Sequence, residues 1–276
     1  MKFLLSFLFA FVLIPISSAF AQTIPFEIPG PNGKLVGEIQ RPNNSEKVPL
    51  VILSHGFTSS KEDTLLKNVA DELEKIGIAS IRFDFDGHGK SGGAFQDMTV
   101  PREINDLKAI YSYAINLPYV DSVSLLGHSQ GGVVTSMAAG DLGKKKIKAV
   151  VLMAPAAILR EDAIRGNTMG MTYDPLNPPE YVELKMPHGT FLMGREYIRT
   201  AFDLPIFETA EGFRGPACMI HGTGDQVVPY TMSLHYDHRF KKSELHLIPG
   251  DDHSFNKNRS EAVKYAVDFL AGKLLK

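Results

Sequence analysis

The sequence predicts an α/β protein, with a mostly parallel central sheet covered on both faces by helices. Three observations predict it. Residues 48–54 form a continuous apolar run, the mark of a strand buried on both faces. Such runs alternate with segments whose apolar residues recur at helical spacing. The alternation repeats along most of the chain, and consecutive parallel strands need crossover helices.

In chain order, residues 23–40 read as a β-hairpin, with strands at 24–28 and 35–40 around Pro31-Asn32-Gly33-Lys34. Asn-Gly is a strong hairpin signal. The strand 48–54 ends in His-Gly. A helix follows over 62–76, with Leu65, Leu66, Val69, Leu73 and Ile76 on one face and Gly77 at its end. The pattern continues as strand 78–83, helix 101–117, strand 123–127, helix 131–142 and strand 150–154. Residues 156–212 break the rhythm: they are rich in Pro, Gly, Met and aromatics and have no clear period. A stretch this long reads as a cap inserted after the sixth strand. Strand 217–221, helix 230–239, strand 244–248 and helix 259–274 close the chain.

With 276 residues, 44% hydrophobic and 22% charged, the chain can bury a core without disulfides. Its single cysteine, Cys218, lies in an apolar run and reads as core. The net charge of −2, with scattered Lys and Arg, leaves no nucleic-acid footprint. Lys144-Lys145-Lys146 reads as a solvated helix end. At the N-terminus, Lys2, an apolar run over 3–14, Pro15 and Ala19-Phe20-Ala21 read as a signal peptide over 1–21. The expected domain is then 22–276, periplasmic or secreted.

The chemistry concentrates at Gly127-His128-Ser129-Gln130-Gly131-Gly132, between a predicted strand and a predicted helix. This is the context of a nucleophile elbow, the strained turn that carries the serine of an α/β hydrolase. Side chains at 127 and 131 would crowd that turn. A serine hydroxyl needs a base, and this fold runs Ser, acid, His along the chain. His253, in the loop before the last helix, is the expected base. Asp225, in the turn after strand 217–221, is the expected acid, because Asp251 and Asp252 adjoin the histidine too closely to reach its Nδ1. The oxyanion donors are expected at the backbone N–H groups of Gln130 and Phe57, so a side-chain change at Gln130 should test little. His55, His88, His128 and His221 read as structural. The loop from Asp84 to Gly93 lacks the phosphate-loop pattern and reads as scaffold.

Beyond these motifs, His55-Gly56-Phe57-Thr58, Arg82-Phe83-Asp84-Phe85-Asp86-Gly87-His88-Gly89, Ala154-Pro155-Ala156-Ala157, His221-Gly222-Thr223 and the cap motif Glu161-Asp162-Ala163-Ile164-Arg165-Gly166-Asn167-Thr168 together resemble bacterial cinnamoyl (feruloyl) esterases. The resemblance runs from about residue 24 to the chain end. It implies hydrolysis of ferulate, p-coumarate and caffeate esters without cofactor or metal, in a cap that binds the phenolic ring. It further implies that Asp162 and Tyr197 hydrogen-bond the ring hydroxyl. Met169 stands where the family has a glutamine, a departure at the contact to the second ring substituent. The expected partner is a small-molecule or oligosaccharide-linked aromatic ester, with neither nucleic acid nor, after leader removal, membrane; a homodimer stays open. Two other readings share the chain: a broad carboxylesterase, acetyl esterase or serine peptidase on the same triad, and a catalytically silent binding protein on a hydrolase fold.

Overall fold

The computed structural model describes residues 22–42 and 47–275; the expected leader over 1–21 lies outside them. Strand β3 (Val48–Ser54) is buried at all seven positions. Leu50 and Ile52 enter one apolar cluster, Val51 and Leu53 the other. Both faces of the strand are therefore covered, which is why it is apolar at every step. Burying each such side chain contributes about 1.5–3 kcal/mol.

The hairpin forms as read: β1 (Gln22–Pro29) pairs antiparallel with β2 (Lys34–Arg41), Ile28 opposite Leu35. Helix α1 (Thr64–Lys75) is capped by Asp63, whose carboxylate accepts the N–H groups of Leu65 and Leu66. Ile76, assigned above to the buried face, sits at the C-cap and is 37% exposed, because the chain leaves the helix at Gly77 with φ 88°. After β4 (Ala79–Phe83), helix α2 (Val100–Ala114) stops short of residue 117. Asn116 and Leu117 bond to carbonyls only three residues back, since Pro118 forbids a further helical turn. Strand β5 (Val120–His128), helix α3 (Gln130–Leu142) and strand β6 (Ile147–Met153) follow. Lys144 to Lys146 are exposed beyond α3.

Residues 156–212 are more ordered than their composition suggests. They hold α4 (Leu159–Arg165), a two-residue ribbon of β7 (Asn167–Thr168) and β8 (Met171–Thr172), and a hairpin of β9 (Tyr181–Met186) and β10 (Gly189–Gly194). Helices α5 (Arg195–Phe202) and α6 (Ile206–Ala210) end the segment. Elements this short cannot establish a helical period in sequence. Strand β9 does alternate, burying Val182 and Leu184 between exposed neighbours. The chain then returns to the sheet through β11 (Ala217–Gly222), α7 (Thr231–Arg239), β12 (Ser243–Ile248) and α8 (Arg259–Leu274).

The eight-stranded sheet has the order β1-β2-β4-β3-β5-β6-β11-β12. Pairings are parallel from β4 onward and antiparallel for β1–β2 and β2–β4. Residues of α1 and α8 cover one face; α2, α3, α7 and the inserted segment cover the other. Cys218 is buried among the first group, and burial pushes its thiol well above the usual range. The loops after β3, β5, β11 and β12 share the C-terminal rim of the sheet, where open α/β sheets bind ligands.

Candidate active site

One residue separates β5 from α3. That residue, Ser129, has φ 55° and ψ −125°, a conformation that costs a non-glycine residue about 1–3 kcal/mol. Its surroundings hold it there. Ser129 N–H donates to Met153 O at 2.9 Å, and its carbonyl accepts from Gly132 N–H at 2.9 Å and Ala156 N–H at 3.0 Å. A β-carbon on Gly127 would run into the Gly131 carbonyl, and one on Gly131 into the carbonyls of Ser54 and His55. The glycines are there because backbone passes where side chains would be.

His253 Nε2 lies 2.9 Å from Ser129 Oγ, and His253 Nδ1 lies 2.7 Å from Asp225 Oδ2. An ionised carboxylate only accepts, so Nδ1 carries the proton and Nε2 is free to take one from the serine. Asp225 Oδ1 accepts the N–H groups of Val227 and Val228 at 2.8 and 2.9 Å. Burial opposes ionisation of Asp225, but the bonds from His221 and His253 outweigh it and hold the carboxyl below the ordinary carboxylate range. Asp251 and Asp252 instead organise the histidine loop. Asp251 accepts from the N–H groups of Asp252, Lys257 and Asn258, and Asp252 from those of Ser254 and Asn256.

The two expected oxyanion donors flank the serine. Gln130 opens α3, where the first N–H has no intrahelical acceptor. On the other side a β-carbon on Gly56 would lie 3.0 Å from Ser129 Cβ, so the backbone that leads into Phe57 passes directly against the nucleophile. A narrow cavity opens from Ser129, walled by Phe57, Leu159, Tyr197 and Val228, with Asp162 and Met169 at its lining as well. Asp162 is half-buried, and burial raises its carboxyl above the ordinary range. Met169 is 41% exposed and holds φ 50°.

Tyr197 lines the same cavity, but its hydroxyl proton is already committed: it donates to Gln130 Oε1 at 2.8 Å. A phenol reaching Tyr197 would find an acceptor rather than a donor, which narrows the role expected from the sequence. Gln130 Nε2 in turn donates to Glu103 at 2.8 Å. Burial raises the carboxyl of Glu103 well above its usual range. The Gln130 side chain is thus the middle of a buried bridge from the inserted segment to α2. This corrects the expectation that changing it would test little, since the amide beside Ser129 is held through that side chain.

The four histidines read as structural, His55, His88, His128 and His221, are all buried, and two of them touch the site. His55 Nε2 accepts Phe85 N–H at 3.2 Å, inside the core, and burial pushes its imidazole down to about 4. His128 Nε2 donates to His253 O at 2.9 Å, fixing the loop that carries the base. Burial and the neighbouring His253 push His128 down to about 4. His221 is fully buried and donates to Asp225 Oδ2 at 3.0 Å. Its position at a strand end, four residues before the acid, was the available signal. Loop contacts through Asp84, which accepts Lys61 N–H and Lys90 N–H, agree with scaffold for residues 84–93.

A strained serine at a strand–helix elbow, hydrogen-bonded to a histidine that is hydrogen-bonded to a buried aspartate, defines a serine hydrolase of α/β-hydrolase fold. Comparison with known proteins agrees, and the chain belongs to the α/β-hydrolase family. Residues 45–175 match the family described as serine aminopeptidase, S33 (Hydrolase_4). The structure of Est1E from Butyrivibrio proteoclasticus with ferulic acid bound is 32% identical. It superposes with a TM-score of 0.85 over 91% of this chain and 100% of that one. The palmitoyl-protein thioesterase ABHD10 of Homo sapiens, a mitochondrial protein, is 25% identical over 83% of this chain and 74% of its own length. Mouse alpha/beta hydrolase domain-containing protein 10 shares the fold, with 20% identity and a TM-score of 0.67 over 91% of this chain and 99% of its own.

Proposed function

We propose that this serine hydrolase cleaves esters of hydroxycinnamic acids such as ferulate, p-coumarate and caffeate. The observation that carries the reading is the cavity at Ser129: aromatic and aliphatic walls with one half-buried carboxyl, Asp162, among them. A flat phenolic acid needs that combination, apolar faces and a single polar contact. The ferulic acid bound to Est1E, at 32% identity, supports the same reading.

The mechanism is two-step acyl transfer. Ser129 Oγ attacks the ester carbonyl carbon while its proton passes to His253 Nε2. Asp225 keeps the proton on His253 Nδ1 and stabilises the imidazolium. The N–H groups of Gln130 and Phe57 receive the developing oxyanion; one such donor typically supplies about 3–4 kcal/mol. His253 Nε2–H then protonates the departing alkoxide, leaving the aromatic acyl group on Ser129. Water, deprotonated by the same histidine, releases the acid. Asp162 accepts the ring hydroxyl, and Met169 meets the second ring substituent. No cofactor takes part. Export by the leader over 1–21 belongs to the same proposal, and a mature N-terminus at Gln22, read by N-terminal sequencing of the exported protein, is its expected mark.

The test is release of ferulate from methyl ferulate, beside acetate release from a simple acetyl ester and thiol release from a palmitoyl thioester. Wild type and Ser129→Ala are compared. Ferulate release that dominates and is lost in the variant is the expected result. Dominant acetate or palmitate release, also lost in the variant, keeps the serine and rejects the phenolic substrate. Activity that survives in Ser129→Ala rejects the mechanism.

A further inference from the structure

Asp225 Oδ2 serves two histidines at once. His253 Nδ1 is 2.7 Å away and His221 Nε2 is 3.0 Å away. The His221 ring is fully buried, and each of its nitrogens has a partner. Nε2–H is shared between Asp225 Oδ2 and Val228 O at 3.1 Å; Nδ1 is 2.8 Å from Ser233 Oγ. Two acceptors at Nε2 require the proton there, so Nδ1 is bare and accepts the Ser233 hydroxyl. Ser233 is itself fully buried on α7. A hydrogen-bonded line therefore runs from Ser233 through His221, Asp225 and His253 to Ser129.

We propose that His221 is a positioning residue of the reaction: it orients the Asp225 carboxylate and sets how strongly that carboxylate attracts His253. The proposal rests on the catalytic roles given above to Ser129, His253 and Asp225. The physical reason is competition for one oxygen. Charge on Oδ2 that is neutralised by the His221 N–H is not available to the His253 N–H. Removing the His221 donor should leave Asp225 in place, because Val227 and Val228 N–H still hold Oδ1. It should also strengthen the Asp225–His253 attraction. The sign is specific: His253 then keeps its proton to higher pH, and the acid limb of kcat/KM moves upward. The titratable groups facing this pair are few. Asp225 meets His221 and His253 directly; His128 packs on His253 with ring centroids 5.0 Å apart, and Asp63 acts on His128 through space. Apart from His221 itself, none of these groups is altered by the replacement.

Two replacements separate positioning from bulk. Glutamine carries its amide nitrogen as far from Cγ as the imidazole Nε2, so H221Q keeps the donor to Asp225. Asparagine carries its polar atoms at the Nδ1 position, so H221N keeps the Ser233 contact and loses the donor. The experiment is the pH profile of kcat and kcat/KM for wild type, H221N, H221Q and Asp225→Asn on whichever ester the enzyme turns over, with Tm measured alongside.

We expect H221N to lose roughly tenfold in kcat with KM unchanged, and its acid limb to rise by about half a pH unit. H221Q should restore both to near wild type. Equal losses in H221N and H221Q with an unmoved limb overturn the proposal, since that is the behaviour of a packing residue. A limb that moves downward also overturns it, because Asp225 would then have released His253. Should H221N fail to fold, H221L, which fills much of the ring's volume without any donor, takes its place; an unmoved limb there overturns the proposal equally. Asp225→Asn distinguishes the two levels. Full activity in that variant rejects the triad reading itself, whereas loss in Asp225→Asn with a silent H221N rejects the role of His221 alone.

Discussion

The C-terminal rim of the sheet and the segment inserted between β6 and β11 meet across Ser129, and they are held by different forces. On the rim, polar groups are fixed many times over. Asp225 receives four hydrogen bonds, from His221, His253, Val227 and Val228. The backbone of Ser129 is tied to Met153, Gly132 and Ala156. In the inserted segment the hold is apolar: Val182, Leu184, Met193, Tyr197, Ile198 and Leu204 are buried in the main core cluster. Its side-chain hydrogen bonds to the rim are single points, Tyr197 to Gln130 and His188 to Thr58. The difference teaches where each property resides. A proton relay requires atoms fixed within tenths of an ångström, which directional bonds supply. A substrate-facing wall requires shape, which packing supplies and tolerates varying.

The comparison breaks most visibly at the acid. Asp225→Asn keeps the shape of the rim but reverses the hydrogen-bond polarity toward His253, and turnover should fall by roughly four decades. Steady-state kinetics on the best ester substrate check this; a loss under tenfold would mean the relay does not run through Asp225. Next comes Gly131→Ala. Its methyl would meet the carbonyls of Ser54 and His55, both rigid backbone. A stability loss of about 3 kcal/mol or more is expected in denaturant unfolding, together with loss of activity.

One group beneath the rim is poorly satisfied, and it sharpens the contrast. Asp106 is fully buried, one of its oxygens accepts Asp86 N–H at 3.0 Å, and the other has no partner among the described residues. Burial pushes its carboxyl up to about 6. A raised carboxyl stabilises the fold in its protonated form, so the contribution is complete below about pH 4 and is lost as pH rises through about 6. Asp106→Asn, which can still accept from Asp86, should raise Tm by several degrees at pH 8 and leave it unchanged near pH 3.5. A pH-independent difference in melting curves would rule out titration as the cause.

Smaller effects belong to the inserted segment. Tyr197→Phe removes the donor to Gln130 and leaves its amide oxygen buried without that bond, a cost of about 1–3 kcal/mol. The expected signs are a lower Tm and a kcat reduced by less than a hundredfold, from a loosened Gln130. Smallest is Met169→Gln. A new neutral hydrogen bond is worth about 0.5–1.5 kcal/mol, so the preference for methyl caffeate over methyl ferulate should rise by at most roughly tenfold. Equal rates on the two esters in wild type and variant alike would remove Met169 from the recognition of the second ring substituent.

The same division governs what could be read from the sequence. Strands buried on both faces announce themselves as unbroken apolar runs, and β3, β5 and β11 lie within a few residues of where the pattern puts them. The elbow was legible because the close approach of backbone at Gly127 and Gly131 leaves no other residue type available. The inserted segment was less so, since helices of five to eight residues and strands of two are too short for a period to emerge, and only six-residue β9 shows a clear alternation. The bridge Tyr197–Gln130–Glu103 joins positions 67 and 27 residues apart, and no local pattern marks such partners.

By itself, then, the sequence determined the class of fold, the nucleophile and the order of its partners, because hydrophobic period and glycine where backbone passes too close for a side chain are local constraints. Only the tertiary structure decided which atoms share a proton. That His221 and His253 converge on one oxygen of Asp225 depends on the loops from β11 and β12 meeting at one rim, and that Gln130 is clamped by its side chain depends on α2 and α5 packing beside α3. Such meetings are fixed by the packing of the whole sheet, a sum of many weak contacts with no signature at any single position.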